Sequence, residues 1–183
     1  MKIMIASDIH GSAYYCRKTL EAFSSEGAER LFLLGDILYH GPRNDLPRDY
    51  APKEVVKMLN PMKDRLLAVR GNCDAEIDQT VLDFPIMADY ALLFHADRMF
   101  FFTHGHIFNK ENMPSLSDGD FLIHGHTHVP AWESLESGRF MYINPGSVSI
   151  PKEESRHSYL TLTDRKFEWK DVETGDVWHA FDF

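Results

Sequence analysis

The stretch that decides the fold is Ile3-Met4-Ile5-Ala6-Ser7-Asp8-Ile9-His10-Gly11, near the start of the chain. A run of four apolar residues is followed at once by an aspartate, a histidine and a glycine. A short apolar run of this kind is typical of a buried strand. In open α/β sheets ligands bind at the carboxyl ends of strands, so Asp8 and His10 occupy a position suited to function.

The same pattern recurs along the chain. Each further apolar run is followed by glycine together with Asp, Asn or His, and the runs are Leu31–Leu34 before Gly35-Asp36, Leu66–Val69 before Gly71-Asn72, Met99–Phe102 before His104, Phe121–Ile123 before His124-Gly125-His126, and Met141–Ile143 before Asn144. The recurrence predicts that all of these motifs meet along one edge of the sheets.

Helical stretches separate the first strands. Ser12 is a candidate N-cap for a helix through Phe23 that ends near Gly27, Tyr50–Leu59 shows helical spacing, and Ala75–Leu82 is a weaker candidate. Beyond about Ala91 strands dominate, at Leu92–Phe94, Trp132–Leu135, Phe140–Ile143, Ser158–Leu162, Phe167–Val172 and Val177–Phe181. We therefore predict an α/β fold with one domain over residues 1–183, a two-sheet β-sandwich flanked by helices.

Charge and cysteine content narrow the class of protein. The formal net charge of -9 disfavours a large nucleic-acid-binding surface and is typical of a protein kept in solution. With only Cys16 and Cys73, a disulfide framework is not expected. No apolar run approaches the roughly 18 residues of a membrane helix. These features predict a cytoplasmic protein that does not bind membranes.

Five histidines of the strand-end motifs are candidate ligands, namely His10, His104, His106, His126 and His128. A single histidine beside a strand is more often structural than a ligand. Recurrence of histidine with Asp and Asn after five separate strands favours a shared metal site instead.

The spacing suggests how such a site is built. Asp8 and His10 are two residues apart, as are His126 and His128, and in an extended segment such residues point to the same face. Asp36 offers a carboxylate able to bridge two ions, and Asn72 and His104 add an amide oxygen and an imidazole. Mixed carboxylate and imidazole ligands suit Mn, Fe, Zn or Ni rather than an isolated Ca²⁺.

Taken in order, the motifs resemble the signature of the calcineurin-like metallophosphoesterases. They are Asp8-x-His10, Gly35-Asp36, Gly71-Asn72-Cys73-Asp74, His104-Gly105-His106 and Gly125-His126-Thr127-His128. Together with His40–Asn44 and Asn144–Pro151, they are most similar to the small bacterial YfcE-type phosphodiesterases over nearly the whole chain.

The resemblance implies a binuclear centre that hydrolyses phosphate esters, with phosphodiesters expected, through a hydroxide bridging two divalent ions. Manganese is the expected ion, with Fe, Ni or Zn as alternatives. One ion would be held by Asp8, His10 and His128, the other by Asn72, His104 and His126, and Asp36 would bridge them. His106 would orient a ligand or the loop. An alternative assignment makes His106, rather than His104, the metal ligand.

The sequence departs from the family at Cys73, where many members have a histidine proposed to protonate the leaving group. The thiol could donate that proton, or an acid such as His40 could. Asp74 could orient this loop or cap a helix from Ala75 onward. Arg43 could bind a phosphate oxygen or lie in a surface or subunit contact. His40 and Arg43 are therefore the candidate substrate contacts.

Other functions remain compatible with these motifs. The protein could be a phosphomonoesterase or a nuclease, or a metal-binding interaction scaffold like the eukaryotic retromer subunit of this fold. That subunit departs from the pattern at ligand positions, whereas all seven are filled here. The resemblance also suggests a homodimer or homotetramer acting on a small phosphate ester.

Overall fold

The computed structural model describes all residues, 1–183, and contains two mixed β-sheets packed face to face. The first sheet has the order β11-β10-β9-β1-β2-β3 and the second the order β4-β5-β6-β8-β7. The strand bounds are β1 Lys2–Ala6, β2 Arg30–Leu33, β3 Leu66–Ala68, β4 Tyr90–His95, β5 Arg98–Thr103, β6 Phe121–Ile123, β7 Ala131–Leu135, β8 Phe140–Asn144, β9 Ser158–Thr163, β10 Lys166–Asp171 and β11 Val177–Asp182.

Three helices connect the early strands: α1 Ala13–Glu26, α2 Pro52–Leu59 and α3 Glu76–Gln79. The predicted start and end of α1 are confirmed, because the Ser12 side chain accepts a hydrogen bond from the backbone N–H of Tyr15 and Gly27 closes the helix in the left-handed conformation. Two 3₁₀ turns at Asn60–Arg65 and Glu136–Gly138 were not predicted. No helix combines the length and the hydropathy needed to cross a bilayer.

One of the two large hydrophobic cores lies between the sheets, and the other lies under the helices. Ile5 and Phe32 from the first sheet meet Phe100, Phe102 and Phe121 from the second, all of them buried. The Phe32 and Phe102 rings stack at 4.3 Å between centroids, which joins the two sheets directly.

The predicted helices flank the sandwich on one side only, because they cover the first sheet and not the second. Buried residues of α1 and α2 pack on β1 and β2 of the first sheet. The outer face of the second sheet, at Phe101, Leu122 and Tyr142, is covered by Phe108, Met113 and Leu116 from the β5–β6 connection. That connection, residues 104–120, joins the parallel strands β5 and β6 as an irregular segment without a helix.

Parallel pairing brings the motifs together. β1, β2 and β3 run parallel in the first sheet, and β5, β6 and β8 run parallel in the second. Their carboxyl ends lie at a common edge, and every predicted motif follows one of these six strands. The prediction that these motifs meet along one edge of the sheets is therefore confirmed.

Candidate metal centre

The structure brings the seven predicted ligand residues together at this edge. Five of them are almost fully buried, with Asp8, His10 and His104 each 0 % exposed, Asp36 2 % and His128 3 %. His126 is partly buried and Asn72 is exposed. The site is thus a buried cluster of acids and imidazoles that opens to solvent on the side of Asn72.

The backbone reaches this arrangement in an unexpected way. The prediction that Asp8/His10 and His126/His128 share a face because their segments are extended was wrong. Positive φ angles occur at five of these residues: Asp8 (60°), His10 (49°), Asp36 (53°), His126 (66°) and His128 (63°). Left-handed backbone is unfavourable for residues with a Cβ and persists where the surroundings enforce it, commonly at functional sites.

One half of the centre is formed by Asp8, His10 and His128. The Nε2 atoms of the two imidazoles are 3.2 Å apart, and the Asp8 Oδ1 atom lies 3.6 Å from the first and 3.3 Å from the second. His10 Nδ1 donates to the Tyr39 carbonyl at 2.8 Å, and His128 Nδ1 donates to the Ile150 carbonyl at 2.6 Å. A carbonyl only accepts, so both rings direct Nε2 into the site.

This geometry fits a cation. In neutral rings both Nε2 atoms carry lone pairs, which repel at this distance unless a positive charge lies between them. The buried Asp8 Oδ1 also accepts no hydrogen bond. A buried carboxylate oxygen without a donor is costly, and a metal ion would satisfy it together with both nitrogens.

The other half contains Asn72, His104 and His126. His104 Nε2 lies 3.0 Å from the Asn72 Oδ1 atom and 3.1 Å from His126 Nδ1. His104 Nδ1 donates to the Leu34 carbonyl at 2.6 Å, which again leaves Nε2 facing the site. His126 presents Nδ1 instead, so its ring is turned relative to the other three.

Asp36 lies between the two halves. Its Oδ2 atom is 3.6 Å from His10 Nε2 and 3.5 Å from His104 Nε2, and its Oδ1 atom accepts the backbone N–H of Cys73 at 2.8 Å. A single oxygen therefore faces ring nitrogens from both clusters.

The electrostatics of the cluster are strongly coupled. Burial alone would lower the pKa of His104, but the Asp36 and Asp8 carboxylates outweigh it and raise the pKa to about 9. Burial opposes ionisation of Asp8, yet the adjacent imidazoles of His10 and His128 and the charge of His104 hold its pKa well below the usual range. In the absence of metal, protons on the imidazoles supply the positive charge that the carboxylates require.

Asp74 holds two of the motif loops together. Its carboxylate accepts the backbone N–H groups of Asp36 at 2.8 Å, Ile37 at 2.9 Å and Gly71 at 2.7 Å. Burial raises the pKa of this carboxyl against the effect of the three donors. The alternative that Asp74 caps the following helix was wrong, because the N-cap of α3 is Ala75. Asp74 contacts loops rather than the cavity.

Glycine is required where these loops meet. A Cβ atom on Gly71 would overlap the Asp36 carboxylate and its backbone N–H, and one on Gly35, whose φ is 92°, would overlap the backbone of Gly71. The Gly-Asp and Gly-Asn motifs thus describe one close contact between the ends of β2 and β3.

A cavity of about 400 Å³ opens above the cluster and is lined by Asp36, Gly41, Pro42, Arg43, Asn44, Asn72, Cys73, His126, Thr127, His128 and Lys152. The predicted substrate residue Arg43 lies in this wall. His40 does not; its ring packs edge-on against Tyr50 at 5.2 Å between centroids. Lys152 and Thr127 were missed by sequence reasoning, although Lys152 directly follows the Asn144–Pro151 motif.

Cys73 and His106 differ in their access to the cavity. The Cys73 thiol is half-buried in the wall, and burial with the nearby Asp36 charge raises its pKa to about 12. His106 lies beside His104, with ring centroids 5.4 Å apart, but makes none of the short contacts of His104. Burial and the neighbouring His104 lower the pKa of His106 to about 4. The geometry favours His104 over His106 as the ligand.

The family model of the calcineurin-like phosphoesterase superfamily domain matches residues 1–166. The chain belongs to this superfamily. As a calcineurin-like phosphoesterase it hydrolyses phosphate esters, and members of the family use divalent metals, so the predicted reaction class, fold class and general metal dependence are confirmed.

Comparison with individual relatives agrees. The chain is 49% identical to phosphodiesterase YfcE of Escherichia coli K12 over 162 residues, covering 88% of this chain and 87% of the relative. The solved structure of the Escherichia coli phosphoesterase YfcE superposes with a TM-score of 0.95 at 44% identity, covering 100% of this chain and 99% of that one. A probable metallophosphoesterase of Bacillus subtilis, YsnB, is 28% identical, covering 89% and 84% of the two chains.

Proposed function

We propose that this calcineurin-like phosphoesterase hydrolyses phosphodiesters at a centre of two divalent metal ions. The observation that carries the proposal is the position of Asp36, whose Oδ2 atom lies within 3.6 Å of a ring nitrogen from each of two clusters. A carboxylate oxygen shared between two sets of ligands is the arrangement that a bridged pair of ions requires.

Each ion has its own set of ligands in this proposal. Asp8, His10 and His128 hold the first, Asn72, His104 and His126 hold the second, and Asp36 bridges both. Carboxylate, amide and imidazole donors together suit Mn²⁺, with Fe²⁺, Ni²⁺ or Zn²⁺ also compatible. The carbonyl partners of His10, His104 and His128 support the assignment, because they fix the tautomer that a metal needs.

When bound, the two ions make hydroxide available at neutral pH and offset the negative charge of the phosphate oxygens. The residues of the chain position the reaction. Asp74 fixes the loops that carry Asp36 and Asn72, and Arg43 contacts the substrate from the cavity wall. In this proposal Cys73, a residue of the cavity wall, donates the proton to the leaving oxygen. Asn72, a neutral ligand, keeps the centre cationic enough to bind an anion.

The choice of diesters is supported by the relatives. The Escherichia coli relative is named a phosphodiesterase, and the identity of 49% extends over most of both chains. We also propose that the protein is cytoplasmic and that it forms a homodimer or a homotetramer.

A hydrolysis panel tests it directly. We expect the purified protein with Mn²⁺ to cleave bis-p-nitrophenyl phosphate at least about tenfold faster than p-nitrophenyl phosphate, with Ni²⁺, Fe²⁺ and Zn²⁺ compared separately. Activity confined to the monoester would identify a phosphomonoesterase. Preference for single-stranded DNA would identify a nuclease, and no hydrolysis with any metal would favour a scaffold.

A further inference from the structure

Lys152 is held in a defined position beside the candidate metal centre. Its backbone N–H donates to the His128 carbonyl at 3.2 Å, and its own carbonyl accepts from the Ser155 hydroxyl at 2.6 Å. The His128 ring in turn donates to the Ile150 carbonyl, two residues before Lys152. Hydrogen bonds therefore run from the loop to His128 and from His128 to the loop. They fix the backbone of Lys152 relative to the candidate metal centre.

Its charge has no partner in the protein. Six of the eight other lysines form ion pairs, such as Lys2 with Glu26 and Lys110 with Glu133; Lys53 and Lys63 do not, but neither lines the cavity. Lys152 and Arg43 are both exposed, neither has a carboxylate oxygen within 4.0 Å, and both residues line the 400 Å³ cavity. Two positively charged residues without an ion-pair partner therefore lie in the wall of this cavity.

The scissile phosphate does not account for both charges. On the proposed function, two divalent ions bring four positive charges, while Asp8, Asp36, the attacking hydroxide and a singly charged diester bring four negative ones. The centre is then balanced before Arg43 and Lys152 are counted, and the pair has the charge to match a dianion.

The other residues of the cavity wall indicate which chemical group would connect the scissile diester to a second, doubly charged anion. Apart from the imidazoles of His126 and His128, no aromatic ring lines the cavity, and Asn44 and Thr127 offer hydrogen-bonding groups. Base recognition relies on stacking against aromatic side chains, which this wall does not provide. A short, hydroxylated alcohol fits better than a nucleoside.

We propose that Lys152 and Arg43 bind a second phosphate group, a monoester carried on a short polar alcohol of the diester substrate. This inference rests on the proposed function and specifies the substrate class of the same site. The scissile diester lies at the metal centre, and the phosphate monoester lies between the two cations of the outer wall. Charge-assisted hydrogen bonds to phosphate are strong enough for one lost cation to be measurable.

A matched pair of substrates tests the proposal. One is p-nitrophenyl 3-hydroxypropyl phosphate, and the other carries a phosphate monoester on the terminal oxygen, so the leaving group is the same. We expect wild-type kcat/KM to be at least about tenfold higher for the phosphorylated substrate. The ratio of the two values should fall about tenfold in Lys152→Gln and in Arg43→Gln. Lys53→Gln, which removes an exposed charge from α2, should leave the ratio unchanged.

Calorimetry measures the same preference without turnover, by titrating the metal-loaded protein with propane-1,3-diol bisphosphate and with 3-hydroxypropyl phosphate. Tighter binding of the bisphosphate that is lost in Lys152→Gln would support the proposal. A wild-type ratio near one, or an equal loss for both substrates in Lys152→Gln, would overturn it. If the wild type cleaves no diester, the proposed function fails, while the calorimetric preference still decides whether a second phosphate binds at this wall.

Discussion

At the scale of single residues, Asp36 is the carboxylate whose single oxygen faces ring nitrogens of both halves. Its Oδ2 atom lies near His10 and His104, and its Oδ1 atom accepts the backbone N–H of Cys73. A change at this position therefore affects both proposed ions at once, whereas changes elsewhere affect one.

We expect Asp36→Asn to lose both metal ions and to lower kcat/KM by at least roughly 10³-fold, because the amide removes the bridging charge. Elemental analysis of the purified variant measures the metal, and circular dichroism checks the fold. Asp45→Asn, in the exposed part of the neighbouring loop, is the matched control and should retain metal and activity. Two ions per chain in Asp36→Asn would refute the bridging role.

Cys73 is the proposed proton donor to the leaving group. Its pKa, raised to about 12, keeps the thiol protonated over the working pH range. We expect Cys73→His to fold and to accelerate cleavage of esters with poor leaving groups by about 10²-fold, since imidazole is a better general acid near neutral pH. Rates on alkyl and p-nitrophenyl diesters measure the effect.

The variant Cys73→Ser tests whether this thiol donates a proton to the leaving group. If the thiol donates a proton, Cys73→Ser lowers the rate on the alkyl diester but not on the p-nitrophenyl diester. Equal rates for wild type and Cys73→Ser on both substrates would show that the thiol takes no part.

His104 links metal binding to pH. In the metal-free protein the pKa of His104 is raised to about 9, so the ring is protonated at pH 7 and a metal ion must displace that proton. We expect the affinity for Mn²⁺ to fall as pH decreases below about 9, by up to tenfold per unit for one displaced proton. Titration calorimetry in two buffers of different ionisation enthalpy measures proton release; identical heats in both would contradict it.

At the scale of elements, the loops that follow the paired strands β2 and β3 are joined by Asp74. Three buried backbone N–H groups depend on its carboxylate. We expect Asp74→Ala to lower the free energy of unfolding by about 3 kcal/mol, since donors lose their acceptor in a buried place. Denaturant titration of the metal-free protein measures this. Asp64→Ala, at an exposed position, serves as control, and equal stability of the two variants would rule out the role.

The elements themselves were largely predictable. All eleven strands were anticipated to within about two residues, because short buried strands show clearly as apolar runs bounded by glycine and polar residues. The left-handed backbone at Asp8 and His126 was not, since nothing in an Asp-x-His or His-x-His spacing distinguishes it from extended chain. Lys152 was missed for a related reason: only the fold brings its loop against His128.

At the scale of the whole molecule, the two sheets are interleaved along the chain. The sequence forms β1–β3 in the first sheet, β4–β8 in the second, and then returns to the first for β9–β11. Residues from both sheets share one buried core. Neither sheet can form its full set of contacts without the other.

This interleaving supports the prediction that residues 1–183 form one domain. We expect a single cooperative thermal transition of the metal-free protein, with equal calorimetric and van't Hoff enthalpies. Differential scanning calorimetry measures both. Two separable transitions would show that the sheets unfold independently and would contradict the single-domain prediction.

The left-handed backbone restricts which residues can replace these five side chains during evolution. A descendant that abandoned catalysis would still have to fill positions 8, 10, 36, 126 and 128 with residues that tolerate positive φ, chiefly Gly, Asn, Asp or His. Asn72 and His104 carry no such demand, so they are free to drift first. Loss of function would therefore be recorded first at those two sites, while the other five stayed restricted to these four residue types.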